Sequence, residues 1–300
     1  MRYEDFRSEF MESLRDRYED GVKIDLQEVT KNNGVVKEGI NIYLPGDENI
    51  VPLIYLDQIF DLYRDGMGID ECVDWVVKLR EESTASKNGI VDSIEVITKW
   101  ELARDKVYPI LVNTEMNQEM LDSVIHKEFL DLSIIYIVRL ASEESGGITS
   151  AKITKNLFDM YGITVDELHE AAMTNLKSDR YRLVDMESII LQLVKDTDSE
   201  QMVQSIEPGR MYVLTNENKV YGASGLLDQR LLKENSNGHS FYVLPSSIHE
   251  TIFVPDSEEI SIEDLNSMVE EVNRTQLEEK DILSNHAYYY DGSIGELRIA

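Results

Sequence analysis

The densest grouping of residues able to do chemistry is Pro245-Ser246-Ser247-Ile248-His249-Glu250. A histidine beside hydroxyls and a carboxylate has the parts of a general base acting on a serine, provided the proton acceptor lies within hydrogen-bond reach and a further group orients it. The segment falls between two expected strands. In extended backbone Ser247 and His249 point to one face while Ser246, Ile248 and Glu250 point to the other, so a Ser247–His249 contact fits the spacing. Ser247, His249 and Glu250 are therefore the candidate catalytic residues of a hydrolase or transferase. Against this, no Gly-x-Ser-x-Gly elbow lifts the serine out of a sheet, and a polar hairpin connection accounts for the same residues without chemistry.

The spacing gives metal chemistry no support. His169-Glu170 and His249-Glu250 each lack a second histidine one turn on, where Met173 and Phe253 stand, so the zinc-hydrolase pattern is incomplete. His126, His239 and His286 would have to converge from distant parts of the chain. Asp70-Glu71, Asp166-Glu167 and Glu263-Asp264 offer paired carboxylates for magnesium or acid–base work. Each pair stands at an expected helix start, where the helix dipole favours negative charge. Gly222-Ala223-Ser224-Gly225 opens an expected helix and matches neither the phosphate-loop nor the dinucleotide fingerprint. The expectation is a chain that takes no metal and no cofactor.

Apolar periodicity shows what must position these residues. Phe6, Phe10, Leu14 and Tyr18 fall four apart with Met11 beside them, the stripe of an amphipathic opening helix. Val22, Ile24 and Leu26, then Ile40, Ile42 and Leu44, alternate with polar residues around the turn Asn32-Asn33-Gly34, which predicts a hairpin. Val51 to Leu56 reads as a short buried strand running into a helix over Asp57 to Arg64, with another helix starting near Asp70. The same order returns further on. Leu132 to Leu140 is the strongest strand signal, followed by a loop from Ser142 to Gly147, a short strand near Ile153 and a helix containing Leu157 to Tyr161. That pentapeptide, LFDMY, echoes IFDLY from Ile59, and Gly-Ile pairs with a polar cap follow both, Gly68-Ile69-Asp70 and Gly162-Ile163-Thr164. A degenerate strand–strand–helix–helix repeat is expected, with a fainter echo at Ile260 to Leu265. Thr164 with Glu167 has the form of a capping box, and Ser261 with Asp264 a weaker one.

The stretch after Lys195 is polar and acidic and closes on Pro208-Gly209, which suggests an N-terminal lobe over 1–195, a linker or insertion over 196–209 and a C-terminal lobe over 210–300. Past it come a strand at Met211 to Thr215, a helix from Ser224 to Lys233, strands at Phe241 to Leu244 and Thr251 to Val254, and a helix over Glu263 to Arg274. A closing hairpin is expected through Tyr288 to Tyr290 and Leu297 to Ile299. Hairpin turns dominate, so the fold class expected is α+β, with repeated strand–strand–helix–helix units and mainly antiparallel sheet.

The formal charge is −29, from 58 acids and 29 bases. Nucleic-acid affinity rests on Lys and Arg replacing counterions, so direct DNA or RNA binding is disfavoured. An anionic membrane surface would repel the chain as well, and no apolar run approaches the length of a span. A cationic partner is compatible with the charge, as is a nucleic-acid decoy if carboxylates line one face. The single cysteine, Cys72, permits no internal disulfide and suits a reducing compartment. The first residues carry acids where a leader would need a basic start. A cytoplasmic location is expected.

Four segments carry a resemblance: KNNGV from Lys31, MYGITVDELHEAAMTNL from Met160, MYVLTNENKVYGASGLL from Met211 and FYVLPSSIHETIFVP from Phe241. In order, and across nearly the whole chain, they resemble an uncharacterised protein family of anaerobic Gram-positive gut bacteria. Tyr161-Gly162-Ile163-Thr164, continuing through Glu167-Leu168 to Asn175, also looks like a motif of a second uncharacterised bacterial family. Neither resemblance implies an activity or catalytic residues. The leading expectation is a non-enzymatic protein that binds another protein in an accessory or regulatory role. The alternative is the hydrolase or transferase built on Ser247 and His249.

Overall fold

Alternating apolar residues resolve into the expected hairpin: β1 (Lys23–Thr30) pairs antiparallel with β2 (Val36–Tyr43), setting Ile24 opposite Ile42 and Leu26 opposite Ile40. The computed structural model describes residues 1–18, 21–45, 51–85, 94–141, 148–195, 202–203, 210–257 and 260–300. It divides into two compact units, 1–31 with 35–94, and 32–34 with 95–300.

In the first unit β3 (Leu53–Tyr55) completes a sheet of order β1-β2-β3. Against it lie α1 (Tyr3–Asp16), α2 (Leu56–Arg64) and α3 (Ile69–Ala85). The four-residue spacing in α1 buries Phe6, Phe10 and Leu14 on one face. They share a core with Ile40, Ile42, Leu56, Ile59 and Val76. Phe6 holds Phe10, Phe60 and Tyr63 at ring separations of 5.6, 5.1 and 5.0 Å. Cys72 is fully buried in this core, and burial pushes its thiol up, a packing role rather than a reactive one.

The second unit carries two sheets. In one, β4 (Val107–Asn113) and β5 (His126–Phe129) both pair with β6 (Leu132–Ala141), and β7 (Ile148–Lys152) pairs with β6 further along. The other runs β14-β13-β11-β12-β10-β8-β9. Its strands are β8 (Tyr181–Asp185), β9 (Met202–Val203), β10 (Tyr212–Asn216), β11 (Phe241–Leu244), β12 (Thr251–Pro255), β13 (Tyr288–Asp291) and β14 (Glu296–Ile299). Pairing is antiparallel throughout both sheets. Leu111, Tyr136, Leu214, Phe241 and Tyr288 bring both sheets into one core, which also takes Leu168, Ala172 and Leu176 of a helix. The longer helices of this unit include α4 (Lys155–Tyr161), α5 (Val165–Ser178), α6 (Met186–Lys195), α7 (Gln229–Ser236) and α8 (Ile262–Thr275). The fold is α+β with antiparallel sheets.

Three expectations change. The compact units divide between residues 94 and 95, not across 196–209: β8 and β10, on either side of that stretch, pair from Tyr212↔Asp185 to Asn216↔Tyr181. Apart from Met202 and Val203, residues 196–209 lie outside the described residues, as does the expected 142–147 loop. The helix expected from Ser224 begins instead at Gln229. Residues Gly222–Leu227 form a buried 3-10 turn, and Asp228 caps α7 by accepting from the Arg230 and Leu231 amides at 3.0 and 3.3 Å. The proposed repeat lacks backbone equivalence at its glycines. Gly162 ends α4 at φ 63, whereas in the first copy the positive φ falls on Gly66, not Gly68.

Candidate functional site

Ser247 and His249 lie between β11 and β12 as expected, but their hydrogen bonds point elsewhere than to each other's reactive atoms. Ser247 Oγ accepts from the His249 backbone N–H at 3.0 Å, a local turn bond. The His249 ring is held at both nitrogens: Nδ1 accepts from the Tyr221 N–H at 3.2 Å, and Nε2 lies 3.4 Å from Asp281 Oδ1. An acceptor at Nδ1 requires the proton on Nε2, directed to the carboxylate. No ring nitrogen is left to take a proton from Ser247. The His249 carbonyl accepts from Thr215 Oγ1 at 3.0 Å, and the Tyr221 ring stacks on His249 at 5.8 Å. Tyr221 sits at φ 56, and a Cβ on the next residue, Gly222, would come within 2.4 Å of the His249 carbonyl oxygen. This corner is a packed lock between β10, the 222–227 turn and the β11–β12 connection. Glu250 contributes its carbonyl to the Ser247 amide at 3.1 Å.

The paired acids serve helix starts. Glu167 and Thr164 form the reciprocal capping box on α5, and those bonds hold the Glu167 carboxyl below its usual range. Glu71 accepts from the Gly68 amide at 2.7 Å, and Ser261 accepts from the Asp264 amide at 3.1 Å. His169 Nδ1 shares a hydrogen bond with the Tyr136 hydroxyl, 2.9 Å away, and burial lowers the pKa of His169.

A different place gathers polar groups around open space. The end of β4, the β5–β6 turn and the 284–287 loop border a cleft of about 490 Å³, lined by Asn113, Glu115, Glu128, Asp131, Asn285 and His286 among others. Asp131 anchors it: Ser284 donates to Oδ2 at 2.6 Å and Tyr288 to Oδ1 at 2.7 Å. Burial, reinforced by the Asp131 charge, pushes the Tyr288 phenol far above its ordinary value, so it remains a donor. Asn113 is fixed as well, donating to the Leu283 carbonyl at 3.1 Å and accepting from the Met116 amide at 2.9 Å. At the rim Leu130 occupies the left-handed region at φ 55 with 40% of its surface exposed. Bulky side chains rarely adopt that conformation, and it recurs at sites where surrounding structure imposes it. Neither Lys nor Arg lines the cleft. Among the described residues no group of His, Cys, Asp and Glu converges closely enough to hold a metal ion.

Residues 3–292 match a family whose description reads "Family of unknown function (DUF5688)". The chain belongs to the DUF5688 family. No curated protein and no solved structure matches the chain. Family membership accounts for the resemblance carried by the KNNGV, MYGIT, MYVLT and FYVLP segments and assigns no activity to DUF5688 residues in either the His249 corner or the Asp131 cleft. Among the described residues no helix is long and apolar enough to cross a membrane.

Proposed function

We propose that this protein is a non-enzymatic cytoplasmic binding protein, an accessory or regulatory factor of its bacterial host, that takes up a basic segment of a protein partner in the Asp131 cleft. The observation that carries this reading is the cleft itself: the Glu115, Glu128 and Asp131 carboxylates with no cation among the lining residues, on a chain of net charge −29. At about 4 Å each Lys or Arg of the partner would gain about 1 kcal/mol in water and about 4 kcal/mol at a partly desolvated surface. The long-range field would speed encounter with a positive segment. Gln118 and Asn285, both exposed in the lining, add neutral hydrogen-bonding groups for the partner's backbone. The hydrolase reading has less support, because both His249 nitrogens are engaged and Ser247 is bonded within its own turn.

Affinity capture from the native cytoplasm tests the assignment when wild type is run beside Glu115→Gln/Glu128→Gln and Ser247→Ala/His249→Ala. A stoichiometric partner lost from the cleft variant, retained by the second variant and released by salt is the expected result. Retention by the cleft variant with loss from the second would place the function at the His249 corner instead.

A further inference from the structure

At the His249 corner the two ring nitrogens have opposite partners, and only a neutral ring satisfies both. Nδ1 accepts from the Tyr221 N–H at 3.2 Å, while Nε2 faces Asp281 Oδ1 at 3.4 Å. The backbone around the ring is held on both sides: the Ile248 amide donates to the Asp281 carbonyl at 2.9 Å, the Ala223 amide to the Ile248 carbonyl at 3.3 Å and Thr215 Oγ1 to the His249 carbonyl at 3.0 Å. The ring is open to protons, its side chain 35% exposed and that of Asp281 21%. Asp281 faces it from the 279–281 turn, where Lys280 pairs with Glu278. Glu250 follows it in its own segment, and β10 presents the neutral Thr215. The Tyr221 phenol is bonded with Ser150 of β7 and feels Arg139 and Asp281, and burial holds it above its ordinary range, so it stays neutral.

A histidine changes charge between about pH 5 and about pH 8, and as imidazolium it donates from both nitrogens. A proton on His249 strengthens the Asp281 contact and sets Nδ1–H against the Tyr221 N–H, donor against donor. The stacked Tyr221 ring, 5.8 Å away, tolerates a cation on its face, so the imidazolium keeps its place and the Tyr221 backbone amide is what must leave. That amide opens the buried 222–227 turn from a residue at φ 56, a conformation that persists only where surrounding structure imposes it. The Tyr221 side chain also packs against both the main core and the cluster of Ile110, Val112, Ile135 and Ile137 on the other face of the sheet containing β4 and β6. The arrangement with the Tyr221 amide bound holds one proton fewer than the one without it, so acid favours release. We infer that His249 is a proton-operated latch: neutral, it pins the 221–227 turn through the Tyr221 amide; protonated, it locks onto Asp281 and frees that turn.

NMR of the full chain from about pH 8 to about pH 5 tests the latch, with the His249 ring signals reporting its charge. Hydrogen exchange, corrected for the intrinsic rate at each pH, reports the Tyr221 amide. Protection of that amide should fall in step with the neutral fraction of the ring, about tenfold for each pH unit below the ring's midpoint. The Val243 amide, inside the seven-stranded sheet, should keep its protection. Asp281→Asn, which removes the charge favouring the imidazolium, should move the midpoint and the loss of protection together to lower pH. His249→Asn, whose Oδ1 accepts in place of Nδ1 and takes no proton, should keep the Tyr221 amide equally protected throughout; should that variant not fold, wild type and Asp281→Asn decide. A ring that stays neutral to about pH 5, Tyr221 protection unmoved by the ring's titration, or an equal loss at Val243 would overturn the inference. So would a pH-dependent loss that persists in His249→Asn.

Discussion

The Tyr288 hydroxyl donates to Asp131 Oδ1 at 2.7 Å, joining β13 to the β5–β6 turn across 157 positions of sequence. Ser284 meets the other carboxylate oxygen at 2.6 Å. Asp131 thus holds one wall of the cleft and leaves two buried hydroxyls without an acceptor if removed. Asp131→Ala should cost about 1–3 kcal/mol. Asp131→Asn, which keeps one acceptor oxygen, should cost less. Urea denaturation checks both through a lowered midpoint at unchanged slope.

Arg139 and Asp179 form an ion pair at 2.8 Å with side chains only 9% and 11% exposed. The guanidinium also lies over the Tyr108 ring at 3.8 Å, while its Nε and Nη2 have no hydrogen-bond partner. Removing one member of such a pair strands a buried charge, so Asp179→Ala should destabilise by about 3–5 kcal/mol. The double variant Arg139→Met/Asp179→Leu should recover most of that loss. A double-mutant cycle by chemical denaturation measures the difference.

His169 titrates below its ordinary 6.5, first because of burial and then because of Lys127, with Asp166 and Glu170 opposing. Between the depressed folded value and 6.5 the unfolded chain binds more protons than the folded one, so acidification through that window favours unfolding. Above 6.5 His169 contributes no slope. Comparing unfolding free energies at about pH 7.5 and about pH 5.5 should show a loss on the acid side that His169→Gln reduces.

Gly222 has no room for a side chain: a Cβ would meet the His249 carbonyl oxygen at 2.4 Å and the Asn216 amide nitrogen at 2.9 Å. Both are backbone atoms and cannot swing aside. Gly222→Ala should therefore destabilise by about 1–3 kcal/mol, the usual range for overpacking, as thermal unfolding would show. Residual activity of any kind in that variant would not depend on the His249 corner being intact.

Where a local pattern dictated structure, the sequence was legible. The β1–β2 hairpin, α1, β6, the closing hairpin and the Thr164–Glu167 capping box all follow from spacing or turn chemistry within a few residues. β4 escaped because VYPILVN carries Pro109, which argues against a strand. It is tolerated because β4 ends the β4-β6-β5 order as an edge strand, where a missing N–H breaks no ladder bond. The start of α7 was misread because Gly222 to Leu227 are confined by packing, not by helix propensity. The cleft was illegible for a different reason. Asp131, Ser284 and Tyr288 meet only through the fold, and no local spacing marks Leu130 as a residue in the left-handed region. Around Ser247 and His249 the segment's place between two strands was legible, but the contacts of the ring with Tyr221 and Asp281 come from other elements and could not be read locally.

The most direct measurement is a calorimetric titration of the full chain with a Lys- and Arg-rich peptide, at low and high salt, for wild type, Glu115→Gln/Glu128→Gln and the charge-matched control Glu9→Gln/Glu12→Gln on the exposed face of α1. Saturable, salt-sensitive binding that falls about tenfold, equivalent to about 1.4 kcal/mol, in the cleft variant but not in the control is the expected result. Equal weakening in both variants would show that net charge alone attracts the peptide, and that result would contradict the assignment of the Asp131 cleft as the binding site.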